Sequence, residues 1–122
     1  MKLEVGQFAR LKSGYICKII NINDFREPNM KYGVEANYLK DVMFIGDDDI
    51  VKASYNIIDL IEVGDIISFY EDIDNYKKQY VIGIPDLITL DKIKDKITND
   101  NIRLVSILTK QEMEQMEYKV KE

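Results

Sequence analysis

Three consecutive aspartates, Asp47-Asp48-Asp49, are the densest set of potential metal ligands in the chain. Carboxylate oxygens suit hard cations such as Mg²⁺ and Ca²⁺. A calcium loop, however, spaces its ligands at alternate positions and ends in a later bidentate Glu, and no such pattern follows Asp49. With Gly46 in front, the run reads as a solvated turn, and no metal is assigned to it. Asp59, Glu62 and Asp65 recur every three residues, so on one continuous helix they would share a face, as paired-carboxylate catalysis would require. Gly64 interrupts that helix, and Asp59 is expected to bond local backbone N–H groups instead.

Cys17 is the only cysteine and there is no histidine. Those two facts remove an internal disulfide, a cysteine-based zinc site, Ser-His-Asp and Cys-His nucleophiles and imidazole acid–base work. Carboxylate, Lys or Tyr chemistry survives, but no acid–base pair can be named. The expectation is a protein that is not an enzyme and needs no cofactor. Cys17, inside an apolar run without a basic cluster, reads as a small buried hydrophobe. Arg10, Lys12 and Lys18 fall on one expected hairpin with Phe8 and Tyr15, a basic and aromatic grouping that could contact nucleic acid. Against it stands a net charge of -5, from 22 acidic and 17 basic residues, which repels phosphates at long range. Mimicry of DNA is disfavoured too, because Lys and Arg interleave with the acids throughout.

Length and composition bound the rest. With 122 residues, 46% hydrophobic and 32% charged, the chain suits one domain with one core. No apolar run approaches the roughly 20 residues of a membrane helix, and the opening Met1-Lys2-Leu3-Glu4-Val5-Gly6-Gln7 lacks the apolar stretch of a signal peptide. A cytoplasmic location is expected.

The elements that would position these residues are mostly strands. Phe8-Ala9-Arg10-Leu11-Lys12 and the β-branched run from Tyr15 to Ile22 flank Ser13-Gly14 as a first hairpin. Val42 to Ile45 and Ile50 to Tyr55 flank the aspartate turn as a second. Asn56 can cap a helical turn through Leu60, and Ile66 to Tyr70 with Tyr76 to Ile84 form a third hairpin. Residues 24–40 read as an irregular loop with a short strand near Met30 to Val34. A helix capped by Thr89 should bury Leu90, Ile93 and Ile97, with Ile88 and Ile93 as its staple. Ile102 to Leu108 reads as a largely buried strand, and Thr109 with Glu112 forms a capping box, with Leu108 and Met113 as its staple. Glu4-Val5-Gly6 and Glu62-Val63-Gly64 suggest one turn used twice. The expected fold is mainly β with α (α+β): a small SH3-like barrel or strongly bent antiparallel sheet over residues 1–86, followed by a helix-strand-helix extension over 87–122 within the same domain.

The segment Lys52-Ala53-Ser54-Tyr55-Asn56-Ile57-Ile58-Asp59-Leu60-Ile61-Glu62-Val63-Gly64-Asp65 resembles small proteins of Firmicutes prophages, a family of unknown function. The opening Val5-Gly6-Gln7-Phe8-Ala9-Arg10 and the ending, from Ile107-Leu108-Thr109-Lys110-Gln111 to Tyr118-Lys119-Val120, are similar to that family as well. The resemblance carries no catalytic residue or ligand. It implies a setting, the cytoplasm of an infected or lysogenic bacterium, where many such proteins bind others and some block host defence nucleases such as those of CRISPR systems. The expected function is therefore a phage accessory protein that binds a host or phage protein. The alternatives are an SH3-like nucleic-acid-binding domain and a structural virion component. The loop of residues 24–40 is the expected contact surface, through Phe25, Arg26, Tyr32 and Tyr38, since long loops concentrate function and Tyr and Arg dominate interface energies. Arg26 and Tyr32 lead, because charged neighbours should keep both near water. Arg10, Lys12 and Lys18 are the alternative, nucleic-acid-binding set.

Overall fold

A computed structural model describes residues 3–36, 41–73, 76–99 and 102–116. The chain is mainly β with a few helices, and it divides into two compact units, Met1–Leu60 and Ile61–Glu122. The expected internal division after residue 86 moves to Leu60. The reason lies in the pairing: the strand expected in a C-terminal extension joins the third hairpin in one sheet.

The first unit holds β1 (Phe8–Leu11), β2 (Ile16–Ile22), β3 (Tyr32–Glu35), β4 (Met43–Ile45) and β5 (Ile50–Ser54). They form one antiparallel sheet in the order β4-β3-β2-β1-β5, open along β4 and β5. The β4–β5 hairpin expected around the aspartates does not form. Asp47–Asp49 wind instead into a 3-10 turn, and β5 pairs with β1 while β4 pairs with β3. Three short acidic side chains in the first turn of a helix are favourable there, and the winding redirects the strand that follows. Register shifts at Arg10/Leu11 and between Ile19 and Asn21 mark bulges of the kind that bend a sheet. Alternation along the strands puts Ala9, Leu11, Cys17, Ile19, Val34, Ile45 and Ile50 into one core, joined by Leu3 and Tyr32. Two further 3-10 turns, Pro28–Met30 and Ile57–Leu60, complete the unit. Asn56 begins the second of these as expected, its Oδ1 accepting the Ile58 N–H at 3.1 Å.

The second unit holds β6 (Ile66–Ile73), β7 (Tyr76–Gly83), α1 (Leu87–Asn99), β8 (Ile102–Leu108) and α2 (Lys110–Met116), with the three strands in the antiparallel order β7-β6-β8. Helix α1 begins two residues before Thr89. Asp86 starts it, its Oδ1 accepting the Thr89 N–H at 2.7 Å, because an ionised carboxylate at a helix N-terminus outcompetes a hydroxyl further in. Ile88 is consequently 69% exposed and staples nothing, while Leu90 and Ile93 are buried as the 3.6-residue period requires. Strand β8 is only half buried, for among the described residues it is an edge paired with β6. The Thr109 capping box is present: Glu112 N–H donates to Thr109 Oγ1 and Thr109 N–H to Glu112 Oε1, both at 3.3 Å. Among the described residues no helix is long and apolar enough to cross a membrane.

Candidate functional site

The connection between β2 and β3 is ordered by its own backbone and side-chain bonds. Asn23 Oδ1 accepts the Phe25 N–H at 2.9 Å, which closes a turn of the kind asparagine favours. Asn23 C=O accepts the Arg26 N–H at 3.2 Å, Asn23 N–H donates to Lys31 C=O at 3.0 Å, and Met30 N–H donates to Glu27 C=O at 2.8 Å. Pro28, preset for the first position of a helical turn, opens the 3-10 turn that ends the loop. That turn lies against Gly46, where an added Cβ would come within 2.4 Å of Pro28 C=O. The loop holds Phe25 wholly in solvent, 101% exposed.

Arg26 leaves the loop and lies over the outer face of the sheet. Its guanidinium carbon stands 4.6 Å from the centre of the Phe44 ring, a cation–π stack. Its Nη1 donates to Met30 C=O at 3.3 Å and its Nη2 to Asn21 Oδ1. Asn21, Gly33 and Phe44 are neighbours across β2, β3 and β4. Gly33 has no side chain, so Asn21, Val42 and Phe44 close over it; a Cβ there would meet them at 3.2 to 3.5 Å. The outcome is a continuous surface of Val42, Phe44, Arg26 and Met30, with Phe25 at its margin, and each of its apolar members is more than two-fifths exposed. Isolated exposed apolar residues are ordinary, whereas a group of Val42, Phe44 and Met30 with an Arg over its Phe has the composition of an interface core.

Charge surrounds this surface unevenly. Seven acidic and three basic residues lie between Asp24 and Asp49, so this stretch carries -4 of the net -5. Lys31 is already paired with Asp24 at 3.2 Å, and that bond and Asp24's charge raise its pKa. Asp47 accepts the Tyr32 hydroxyl at 2.5 Å, and Asp49 Oδ2 accepts the Gly46 N–H at 3.0 Å. Among the described residues no group of three or more His, Cys, Asp or Glu is arranged to hold a metal ion.

Comparison of the chain with family models, curated proteins and solved structures finds no match.

Of the four expected contact residues, the structure brings Phe25 and Arg26 to the surface just described. Tyr32 is a correction: it is 1% exposed, packed in the core of the first unit, and burial together with the Asp47 bond raises its pKa. Its charged neighbour Lys31 does not hold it in water, because alternation at the start of β3 turns the ring inward. Tyr32→Ala is therefore a core truncation, not a probe of binding. Tyr38 lies outside the described residues. In the alternative set, Arg10 is 1% exposed and its Nη1 donates to Leu60 C=O at 2.9 Å, so it serves the 3-10 turn Ile57–Leu60 and cannot reach a phosphate. Lys18 stands 5.9 Å from the Phe8 ring, directly opposite it in the β1–β2 ladder, and Lys12 is exposed at the turn. Cys17 is buried as expected, and burial raises its thiol pKa to about 11, far from a reactive thiolate.

Val42, Phe44 and Met30 were not legible as surface residues. The sequence places Val42 and Phe44 on a hairpin strand without assigning them a face, and alternation along β4, with Ile45 buried, turns Phe44 outward. A signal was present in Gly33, a glycine within a short strand, which marks a close approach by neighbouring groups.

Proposed function

We propose that the protein is a non-enzymatic protein-binding module, a phage accessory factor that inhibits a host protein, such as a defence nuclease, by occupying its surface. The observation that carries this reading is Phe25, a fully exposed aromatic on an internally bonded loop, beside the stacked pair of Arg26 and Phe44. Exposing such groups costs solubility and gains nothing for the fold, whereas aromatic and Arg side chains dominate binding energy at interfaces. We also read the first unit as an SH3-like barrel. What supports this is the strand order β4-β3-β2-β1-β5, the 3-10 turn between β4 and β5, and the bulges in β1 and β2 that curl the sheet. The nucleic-acid reading is weakened by the loss of Arg10 to the interior, which leaves Lys12 and Lys18 as its contacts.

Affinity capture from bacterial cells tests the proposal, using the whole chain and its Phe44→Ala and Phe25→Ala variants. A host protein retained by the parent and lost from both variants, with their thermal midpoints unchanged, is the expected result. Equal capture by all three, or capture by none, overturns it.

A further inference from the structure

The surface around Phe44 has a chemistry that restricts what can cover it. Its centre is apolar: Val42, Phe44 and Met30 are 44%, 42% and 42% exposed. The Arg26 guanidinium lies over the Phe44 ring, with its described bonds going to neutral oxygens, the Asn21 side-chain amide and the Met30 carbonyl. The margin is acidic. Glu27 adjoins Arg26 in the loop, Asp41 adjoins Val42, and the 3-10 turn bearing Asp47 and Asp48 lies against Pro28 and Asn29; all four carboxylates belong to exposed residues. Lys31, the other cation described here, is neutralised by Asp24. An apolar centre in a negative field disfavours an acidic partner or a nucleic acid and favours a basic one, because like charges facing each other across an interface cost more than rim pairs gain.

We propose that this surface docks a cationic polypeptide segment, with an apolar side chain resting on Val42, Phe44 and Met30, and Lys or Arg to either side facing Glu27, Asp41 and the Asp47-Asp48 turn. The proposal rests on the protein-binding reading and narrows it to one class of partner. Association should be fast and should weaken as salt rises, since the margin steers the encounter while the apolar centre holds the complex. Specificity follows from needing both parts.

Three peptides of equal length test this on the full chain, each titrated while the backbone amide signals are followed by NMR. The first has central leucines flanked by lysines and arginines, the second has the same leucines flanked by glutamates, and the third has the basic flanks around serines. The expected result is binding of the first alone, with shifts at Phe25, Arg26, Met30 and Phe44, weakened about fivefold or more by Glu27→Lys with Asp48→Lys and lost in Phe44→Ala. Equal binding of the serine peptide would reduce the effect to bulk charge and overturn the proposal. Binding of the glutamate peptide at Phe44 would overturn the cationic assignment and leave the protein-binding reading standing. If none of the peptides moves these signals, the cationic assignment falls, and the capture experiment with Phe44→Ala decides the broader reading separately.

Discussion

The turn Glu4-Val5-Gly6-Gln7 in the first unit and the turn Glu62-Val63-Gly64-Asp65 in the second have the same construction with very different burdens. In each, the glycine takes a positive φ, 97° at Gly6 and 98° at Gly64. In each, its N–H donates to the C=O of an isoleucine at 2.8 Å, Ile19 in β2 or Ile84 just after β7, and that isoleucine returns its N–H to the C=O of the fourth residue of the turn. The fourth side chain closes both: Gln7 Oε1 accepts the Glu4 N–H and Asp65 Oδ2 the Glu62 N–H, each at 2.8 Å. There the likeness stops. Gln7 is half-buried, whereas Asp65 is 0% exposed, and its second oxygen accepts the Lys110 N–H at 3.0 Å, at the start of α2. One motif thus steers a strand in the first unit and, in the second, also ties a helix 45 residues away to the sheet.

The largest expected effect follows from that second bond. Asp65→Ala removes the acceptor of two part-buried backbone N–H groups and empties a fully buried site, and should cost about 3 kcal/mol by urea denaturation, with Asp65→Asn recovering part of it. A cost no greater than that of Gln7→Ala would abolish the distinction between the turns. Gly64→Ala should cost about 2 kcal/mol, since a side chain is strained at this φ and its Cβ would press within 3.1 Å of the Lys110 side chain. Gly6→Ala meets only the Tyr55 ring, at 3.7 Å, and should cost about 1 kcal/mol; a reversed order in thermal midpoints would show that packing at Lys110 is irrelevant. Thr109→Ala, which removes the buried cap one residue before Lys110, should also cost about 1 kcal/mol, and an unchanged midpoint would mean that Asp65 alone secures α2. Gln7→Ala should cost about 0.5 kcal/mol, because water can replace the amide at a half-exposed turn.

Acid should weaken the start of α1. The Asp86 carboxyl is held below the ordinary aspartate range, first by the Thr89 backbone N–H and then by the Thr89 side chain. A depressed pKa in the folded state contributes stability above the unfolded-state value, and that contribution is lost as pH falls through the folded one. Amide protection at the start of α1, measured relative to the intrinsic exchange rate at each pH, should therefore fall on acidification below about pH 4, and fall less in Asp86→Asn, which cannot titrate. Identical pH profiles in the parent and the variant would remove Asp86 from the account.

The paired turns were visible in the sequence because Glu-Val-Gly is short, local and dependent on glycine. So was the capping box at Thr109, whose partners are three residues apart. Thr89 misled because Asp86, just beyond Pro85, offered a charged cap that a reading centred on hydroxyls passed over. Pairing partners were harder. That β5 joins β1 depends on how the aspartate run winds, and hairpin and 3-10 turn draw on the same residues there. The sidedness of Tyr32 and Phe44 inherited that ambiguity, since a strand side chain's direction follows from register, and register is a property of the sheet. Arg10 looked like a surface charge because nothing near it in sequence announces that the Leu60 carbonyl will be its acceptor.

The bonds described for the loop between β2 and β3 come from its backbone and from the side chains of Asn23, Arg26, Lys31 and Asp24. The shape in which Phe25 is offered therefore does not depend on Phe25 itself, nor on Glu27. Exchanges at these two positions should leave the fold untouched, so under the proposed binding role the surface they offer can vary independently of stability.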